Sequence, residues 1–380
     1  MYQDLLSRLL DLQPQMIERL GQLVDVESPS YDKPALDRLA AMLAGQFAAA
    51  GGRSHVIENA ARGNHVRVDF DFGAADAKPA LVLCHFDTVW PIGTLAGRPF
   101  AVNGNTITGP GCYDMKGGII IAQFALQAIG EMNLRPGRNV TVLLNSDEEI
   151  GSTTSRPLIE DLARGSQYVL ALEPAGPDGI AKTGRKGTGR YRLEIHGKAA
   201  HSGSDPQKGV SAISELAHQV LALHALNDFQ KGTTVNVGIV QGGSRANVVA
   251  DFATADIDAR AWRAQDAEQL HTAIMSIKPV HSGARLKIDG RFTRPPMERT
   301  GVTMNLYAQA KAVAGKLGID LKEGATGGAG DCNFTAAMGV PTLDGLGAIG
   351  DGAHAVTEHI LADQLPLRAA LLAAMLMELK

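Results

Sequence analysis

Three short apolar runs, each followed closely by acidic residues or histidine, constrain the fold of this sequence more than any other feature. They are ALVLC (residues 80–84), VTVLL (140–144) and YVLAL (168–172). Short apolar runs of this kind are typical of buried strands. Segments with helical spacing of apolar residues separate them, at about 116–131 and 154–164. Strands that alternate with helices predict an α/β fold with a mixed, mostly parallel sheet covered by helices on both faces.

The pattern changes near Lys182, where polar and apolar residues begin to alternate, as in half-buried antiparallel strands. The alternating segments are 190–196, 233–240 and 253–261, and helical segments at about 209–225 and 266–277 accompany them. Helix-like and strand-like apolar runs return after Arg294, at 301–317 and 341–343. We therefore predict an α/β domain in two parts, 1–181 and 294–380. It is interrupted by an inserted α+β domain, 182–293, with a four-stranded antiparallel sheet and two helices.

Length and charge exclude several classes of protein. A chain of 380 residues with 45% hydrophobic content favours two domains over one. Lys and Arg total 36 against 40 for Asp and Glu, which is not the basic balance of a nucleic-acid-binding protein. No apolar run approaches the roughly 20 residues of a membrane span. Three cysteines without a CxxC pair, and an N-terminus unlike a signal peptide, favour a cytoplasmic protein.

Each of the three predicted strands ends beside residue types that bind metal ions. His85 and Asp87 follow the first, Glu148 and Glu149 the second, and Glu173 the third. A single His or Glu after a strand is more often a cap or a solvated charge. Sites in open α/β sheets form at the carboxyl ends of strands, so three such coincidences favour one shared site.

Two glycine-flanked residues extend this set: Asp114 in GPGCYDMKGG and His354 in GDGAH. Asp114 precedes an apolar helix, so a simple N-cap is the alternative for it. Carboxylates and imidazoles together suit Zn²⁺, and Mn²⁺ or Co²⁺ also fit. Two ions need a bridging carboxylate and at least two further ligands each; a set of one Asp (Asp114), three Glu and two His meets this count and leaves one carboxylate unused. A carboxylate beside a metal-bound water is suited to act as a general base.

Five motifs follow one another along the chain: CHFDTVW, GPGCYDMKGG, NSDEEIGS, ALEP and GDGAHAVTE. Their order and spacing resemble those of a known enzyme family. Across nearly its whole length the chain resembles the zinc metallopeptidase family of glutamate carboxypeptidase, aminoacylase, acetylornithine deacetylase and succinyl-diaminopimelate desuccinylase. It is most similar to the bacterial glutamate carboxypeptidase branch. The resemblance implies two Zn²⁺ per subunit and hydrolysis of an amide bond next to a free carboxylate.

The expected reaction is release of C-terminal glutamate from peptidyl- or N-acyl-glutamate. Within the same family, an N-acyl amino acid deacylase or a dipeptidase is the alternative. From another class, the alternative is a metal-binding or scaffolding relative without catalysis. The presence of every ligand position and of Glu148 favours an enzyme.

The resemblance also assigns roles to single metal-site residues. Asp114 matches the bridging carboxylate. His85 and Glu173 match the remaining ligands of one zinc ion, and Glu149 and His354 match those of the second.

Further roles concern the surroundings of the ions. Glu148 matches the general base, and Asp87 matches the carboxylate that orients His85. We expect Glu358 to support His354. The family carries a cis peptide bond after its bridging aspartate, so we expect one between Asp114 and Met115.

The insert resembles the family's lid and dimerisation domain, which implies a homodimer. His201, in GKAAHSG, matches a histidine that reaches the partner subunit's active site and helps to stabilise the oxyanion. Asn247 and Arg260 match lid residues that bind the substrate carboxylate. Arg294 resembles another arginine that contacts the substrate, although a salt bridge at the domain boundary is an equal alternative. Gly330 and Cys332 depart from the family's hydroxyl-rich loop, which leaves substrate specificity open.

Overall fold

The structure, a computed structural model, describes residues 1–74 and 76–380. Contacts divide them into two compact units. The catalytic unit contains Met1–Thr183, Arg299–Ala325 and Gly330–Lys380, and the inserted unit contains Gly184–Glu298 and Thr326–Ala329. The sequence predicts domain boundaries at 181/182 and 293/294, and this division into domains stays a prediction.

Helices and short strands alternate in the order that the sequence suggests. The helices are α1 (Tyr2–Asp11), α2 (Gln13–Val24), α3 (Lys33–Ala49), α4 (Thr94–Gly97), α5 (Gly117–Glu131), α6 (Arg156–Gly165), α7 (Ala212–His224), α8 (Ala264–Met275), α9 (Gly301–Lys316), α10 (Cys332–Ala337) and α11 (Gln364–Glu378). The strands of the first half are β1 (Arg53–Ile57), β2 (His65–Phe70), β3 (Ala80–His85), β4 (Ala101–Asn103), β5 (Thr106–Thr108), β6 (Val140–Asn145), β7 (Tyr168–Ala171) and β8 (Ala181–Arg185). Those of the second half are β9 (Gly187–His196), β10 (Thr234–Gly242), β11 (Phe252–Ala261), β12 (Arg285–Arg294), β13 (Glu323–Thr326), β14 (Thr342–Leu343), β15 (Gly350–Asp351) and β16 (His359–Leu361).

The catalytic unit is built on a six-stranded sheet with the order β1-β2-β6-β3-β7-β14. The pairs β6–β3, β3–β7 and β7–β14 are parallel, whereas β1–β2 and β2–β6 are antiparallel. Every residue of β3, β6 and β7 is buried, as the centre of a helix-covered parallel sheet requires. The α/β fold class with a mixed, mostly parallel sheet is therefore confirmed.

The main core lies between this sheet and the helices that pack against it. Helix α5 is apolar on nearly all sides because it packs against β3 as well as against α11. The single helical stretch expected at the N-terminus is two helices, α1 and α2. Pro14 lies in the first turn of α2, where its missing N–H costs nothing, and the chain bends just before it at Leu12.

The inserted unit has its own four-stranded antiparallel sheet, with the order β10-β11-β9-β12. Helices α7 and α8 pack against it and enclose a second apolar core. The α+β prediction is confirmed, including the fourth strand that the sequence had not located. None of the helices in the described residues is long and apolar enough to cross a membrane.

A small antiparallel sheet, β15-β16-β5-β4, joins a late part of the chain to an early one. His359 of β16 pairs with Thr108, the last residue of β5. The Gly109–Gly118 loop begins directly after β5, and His354 lies between β15 and β16. This pairing brings the two glycine-flanked motifs together.

Candidate metal centre

Three neighbouring parallel strands deliver most of the predicted ligands. His85 is the last residue of β3, and Glu173 lies two residues beyond β7. Glu148 and Glu149 occupy a 3₁₀ turn, Glu148–Ile150, that follows β6. Because β6, β3 and β7 are adjacent and parallel, these side chains emerge at the same edge of the sheet.

Asp114 lies between two groups of ligand atoms. Its Oδ1 is 3.1 Å from Nε2 of His85, and its Oδ2 is 3.3 Å from Nε2 of His354. Oε1 of Glu173 is 3.8 Å from Nε2 of His85, and Oε1 of Glu149 is 3.2 Å from Nε2 of His354. The two carboxylate oxygens of Asp114 thus face different imidazoles, each accompanied by a second carboxylate. This is the arrangement of a bridging ligand.

The residues fit a divalent metal ion. Ligand atoms of His85, Asp114 and Glu149 all lie within 4.8 Å of one another. The five side chains offer nitrogen and oxygen donors only, the ligand set that suits Zn²⁺ and also accommodates Mn²⁺ or Co²⁺. Three carboxylates crowded at one buried edge need cations nearby to remain ionised.

The pKa values of Asp114, His354 and Glu149 are shifted by burial and by the hydrogen bonds among them. Burial opposes ionisation of Asp114, but hydrogen bonds from His354 and His85 hold its pKa well below the usual range. Hydrogen bonds to Asp114 and Glu149 raise the pKa of His354 to about 10. Burial raises the pKa of Glu149, although its hydrogen bond with His354 works in the opposite direction. A divalent ion that binds here must displace the His354 proton, so its affinity should rise with pH.

Asp87 connects one side of the site to the other. Nδ1 of His85 is 3.0 Å from the backbone oxygen of Asp87 and 3.5 Å from its carboxylate. The carboxylate accepts hydrogen bonds from the backbone N–H groups of Glu148 and Glu149, each at 3.1 Å, and from Ser30 Oγ at 2.7 Å. The shorter contact to His85 is thus made by the main chain, while the carboxylate fixes the turn that carries Glu148. Ser30 had no signal in the sequence.

Glu358 supports a different residue from the one we expected. Its hydrogen-bond donors are Gly111 N at 2.9 Å, Tyr113 N at 3.0 Å, Asp114 N at 3.2 Å and Trp90 Nε1 at 2.9 Å. These bonds hold the loop that carries Asp114, not His354. The prediction was wrong because proximity to His354 in the sequence says nothing about the loop that β16 and β5 bring alongside.

The backbone of this loop is unusual in the ways that its glycines permit. The peptide bond between Asp114 and Met115 is cis, as expected. Gly111 has a φ of 73°, and a Cβ there would lie 2.5 Å from Thr88 Cγ2. A Cβ at Gly118 would lie 2.1 Å from the carbonyl oxygen of Leu172. Glycine is therefore required where the loop turns and where α5 starts against the end of β7.

The four remaining predicted residues lie in the inserted unit, where they form two groups. His201 forms a bridge with Val248, and Ser202 N donates to the backbone oxygen of Asn247 over 3.1 Å. Nδ1 of His201 accepts hydrogen bonds from the backbone N–H groups of Gly203 and Ser204, at 3.1 and 3.0 Å. An accepting Nδ1 carries no proton, which places the ring proton on Nε2.

Arg260 and Arg294 flank one residue of the sheet. Both pair with Thr188, Arg260 from β11 and Arg294 from β12. Arg260 donates from Nη1 to Thr188 Oγ1 over 2.8 Å, and its guanidinium also binds Asp258. Arg294 is buried. Burial and the nearby Arg260 lower the pKa of Lys186, which shows a concentration of positive charge at this end of the sheet.

Comparison with known proteins assigns the family. Residues 81–378 match peptidase family M20/M25/M40, and the chain belongs to it. Carboxypeptidase G2 of Pseudomonas sp. (strain RS-16) is 29% identical over 378 residues, which cover 97% of this chain and 90% of that protein. Succinyl-diaminopimelate desuccinylase of Delftia acidovorans is 26% identical, over 77% of this chain and 81% of that protein.

An M20 family metallo-carboxypeptidase from Sulfolobus solfataricus has the same fold. Its crystal structure superposes with a TM-score of 0.78 at 18% identity and covers 95% of this chain and 98% of that one. The chain is therefore a hydrolytic enzyme, a metallopeptidase or amidohydrolase of this family. The family expected from the five motifs is confirmed.

Proposed function

We propose that this enzyme is a carboxypeptidase that releases C-terminal glutamate from peptidyl- or N-acyl-glutamate. It would use two divalent metal ions, which we expect to be Zn²⁺. The observation that carries the proposal is the position of Asp114 between two imidazole–carboxylate pairs. His85, Asp114 and Glu173 would hold one ion. Asp114, Glu149 and His354 would hold the other.

When bound, such a metal pair lowers the pKa of a water molecule and polarises the scissile carbonyl group. Glu148 supplies the proton chemistry. Its backbone is fixed by Asp87, so its carboxylate is presented beside the ligands from a rigid turn. A carboxylate in this position accepts a proton from the attacking water and later donates it to the leaving amine.

His201 completes the site from a second subunit in this proposal. Because Nδ1 accepts two backbone hydrogen bonds, Nε2–H is the free donor of the ring. A positioned N–H donor is what stabilisation of a developing oxyanion requires. The tautomer supports the role that the family resemblance implies for His201.

The inserted unit has a surface suited to a second copy of the chain. Strand β10 is an edge strand, and its residues Ile239 and Val240 are more than half exposed. On α7, Leu221 is 71% exposed and Ile213 is 48% exposed. A Cβ placed on Gly242 or Gly243, at the end of β10, would lie 3.2 or 3.1 Å from the Ile213 side chain, so the apolar surface continues from helix to strand. An exposed apolar edge of this kind is otherwise an aggregation hazard, which supports a homodimer through this unit.

The carboxylate of the substrate is assigned to the basic end of the inserted sheet. Arg260 and Arg294 lie on either side of Thr188, and Lys186 is close to Arg260. Guanidinium groups bind carboxylates in bidentate fashion, and several cations favour a substrate with more than one carboxylate. This supports glutamate over an amino acid with a neutral side chain. Asn247, in the loop that pairs with His201, is assigned to the same carboxylate.

The test is release of amino acids by the zinc-loaded enzyme from a panel of peptidyl and N-acyl amino acids, with a chelator control. Chelator-sensitive release of glutamate above all others is the expected result. Preference for another amino acid would keep the metal chemistry and move the function to a deacylase or dipeptidase, as the similarity to the desuccinylase also allows. No turnover of any substrate with metal bound would favour the non-catalytic alternative.

A further inference from the structure

One buried carboxylate, that of Asp331, is bound to residues on both sides of the turn that carries Glu148 and Glu149. Asn145, the last residue of β6, donates from Nδ2 to Asp331 Oδ2 over 2.6 Å. Ser152, which follows the turn, donates its hydroxyl proton to Oδ1 of the same carboxylate. All three side chains are buried. Asp331 therefore fixes both ends of the segment 146–151.

The backbone at Ser152 explains why a restraint is needed there. Ser152 has a φ of 53°, in the left-handed region that residues other than glycine seldom adopt. Gly151 before it also has a positive φ, of 97°, and Ser152 N donates to the backbone oxygen of Asp147 over 2.7 Å. The chain reverses direction through these two residues. The bond to Asp331 stabilises Ser152 in a conformation that is intrinsically unfavourable.

A second carboxylate makes the network continuous. Asp147 accepts from Thr154 Oγ1 at 2.8 Å and from Ser155 Oγ at 2.6 Å. Nδ2 of Asn145, which donates to Asp331, lies 2.9 Å from Ser155 Oγ as well. The segments before and after the turn are thus linked through side chains. Buried polar networks of this kind rigidify the backbone that they connect.

We propose that Asp331 is a positioning residue for the general base. It acts through Asn145 and Ser152, which hold the ends of the turn, while Asp87 holds the backbone N–H of Glu148 in its centre. Asp331 comes from α10's N-terminus, far along the chain from β6, and it is not a predicted ligand or substrate contact. The inference rests on the proposed role of Glu148.

The kinetic test compares two variants, Asp331→Asn and Ser152→Ala, with the control variant Thr335→Ala. All are assayed as zinc-loaded enzyme, in the oligomeric state in which each is purified. Thr335 is equally buried and bonds to Cys332 O and Thr342, outside the network. Both test variants should lower kcat about 10–100-fold with KM within about threefold of wild type. In a protein that already carries Glu148→Gln, adding Asp331→Asn should lower kcat by less than about a further threefold. The effects of two residues that act through one another are not additive.

The second readout needs no activity. Amide hydrogen exchange of residues 146–151 should become at least about tenfold faster in Asp331→Asn and stay unchanged in Thr335→Ala. If Asp331→Asn left the exchange rate of residues 146–151 unchanged, or raised KM with a normal kcat, the proposal would be overturned. A raised KM alone would point to a role of Asp331 in substrate binding. If wild type turns over no substrate, the proposed function fails while exchange still decides the positioning role. If Asp331→Asn does not fold, Ser152→Ala decides both readouts.

Discussion

The metal centre and the candidate substrate residues of the inserted unit differ in how they are held. His85 and Asp87 are almost fully buried and bonded to one another and to their neighbours. His201 and Asn247 are exposed and lie in loops. The first group is held by strand β3 and by its own hydrogen bonds. In our proposal the second group acts only with substrate or a second copy of the chain, so its function is tested by different experiments.

The largest expected effect on kcat is at the candidate metal centre, for a change of Glu148. Glu148→Gln removes the proton acceptor and leaves all five ligand side chains in place. We expect kcat to fall about 10²–10⁴-fold, the usual scale for loss of a general base. The measurement is glutamate release, together with bound zinc by elemental analysis, which should match wild type.

A surface carboxylate provides the control for this variant. Glu160 forms an exposed salt bridge with Arg156 on the same helix, so Glu160→Gln should keep normal activity. Activity of Glu148→Gln within about tenfold of wild type would remove Glu148 as the base. Loss of zinc together with activity would show instead that Glu148 acts as a ligand.

The next effect tests the exposed region. His201→Ala should lower kcat about 10²–10³-fold, as expected for one oxyanion donor. If His201 acts on the partner subunit's site, mixing this variant with Glu148→Gln should restore activity. Half of the mixed dimers pair the two variants, and each has one intact site, so recovery should reach about a quarter of wild type.

Each variant measured alone sets the baseline for the mixture. No recovery, after native mass spectrometry has shown that the two variants exchange subunits, would place His201 in the site of its own chain. A monomeric wild type with full activity would contradict both the shared site and the dimer proposed for the β10 edge.

A smaller effect is expected at Glu358, which shapes the metal centre without touching the predicted ions. Its carboxylate accepts three backbone N–H groups of the Asp114 loop. Glu358→Gln replaces one acceptor oxygen by a donor, and zinc affinity should fall about 10–100-fold. Competition with a chromophoric chelator measures this. Glu378→Gln, which breaks an exposed salt bridge to Lys316, should leave the affinity unchanged, and equal affinities in all three proteins would refute the role.

The sequence allowed the candidate ligands to be selected because their positions follow from local patterns, and their binding of metal stays a prediction. His85 and Glu173 end runs that only a buried parallel strand explains, and the topology of such sheets brings strand ends together. The edge strand β12 was overlooked although its sequence, RLKIDGRFTR, alternates polar and apolar residues; Gly290 interrupts the alternation in the middle of the strand. Strand β1 was overlooked because it is largely exposed, whereas β2 is mostly buried and its alternating sequence HVRVDF was missed.

The residues that support the ligands were harder to predict, because their partners are distant in the chain. Ser30 bonds to Asp87, and Asp331 bonds to Asn145, across separations of 57 and 186 residues. No spacing rule relates such pairs; only the folded topology does. Glu358 shows the same limit, since its position in the sequence suggested the wrong partner.

The smallest expected effect is on the free energy of unfolding and concerns His65. This residue bonds to Ser146 and Thr154, on either side of the turn that carries Glu148. His65 is buried, its Nδ1 accepts from Ser146 N at 3.3 Å, and its Nε2 lies 3.1 Å from Thr154 Oγ1. Burial lowers the pKa of His65 below its usual 6.5, although Asp147 and other nearby carboxylates oppose this. Below pH 6.5 the unfolded chain binds a proton that the folded protein does not, so the free energy of unfolding falls as pH drops.

The His65→Gln variant isolates this contribution in the zinc-loaded protein. Urea unfolding at pH 7.5, 6.5 and 5.5 should show that wild type loses more stability on acidification than the variant does. The exposed-histidine variant His218→Gln should follow wild type. If wild type and His65→Gln lost stability equally over this range, His65 would not be held neutral under the turn.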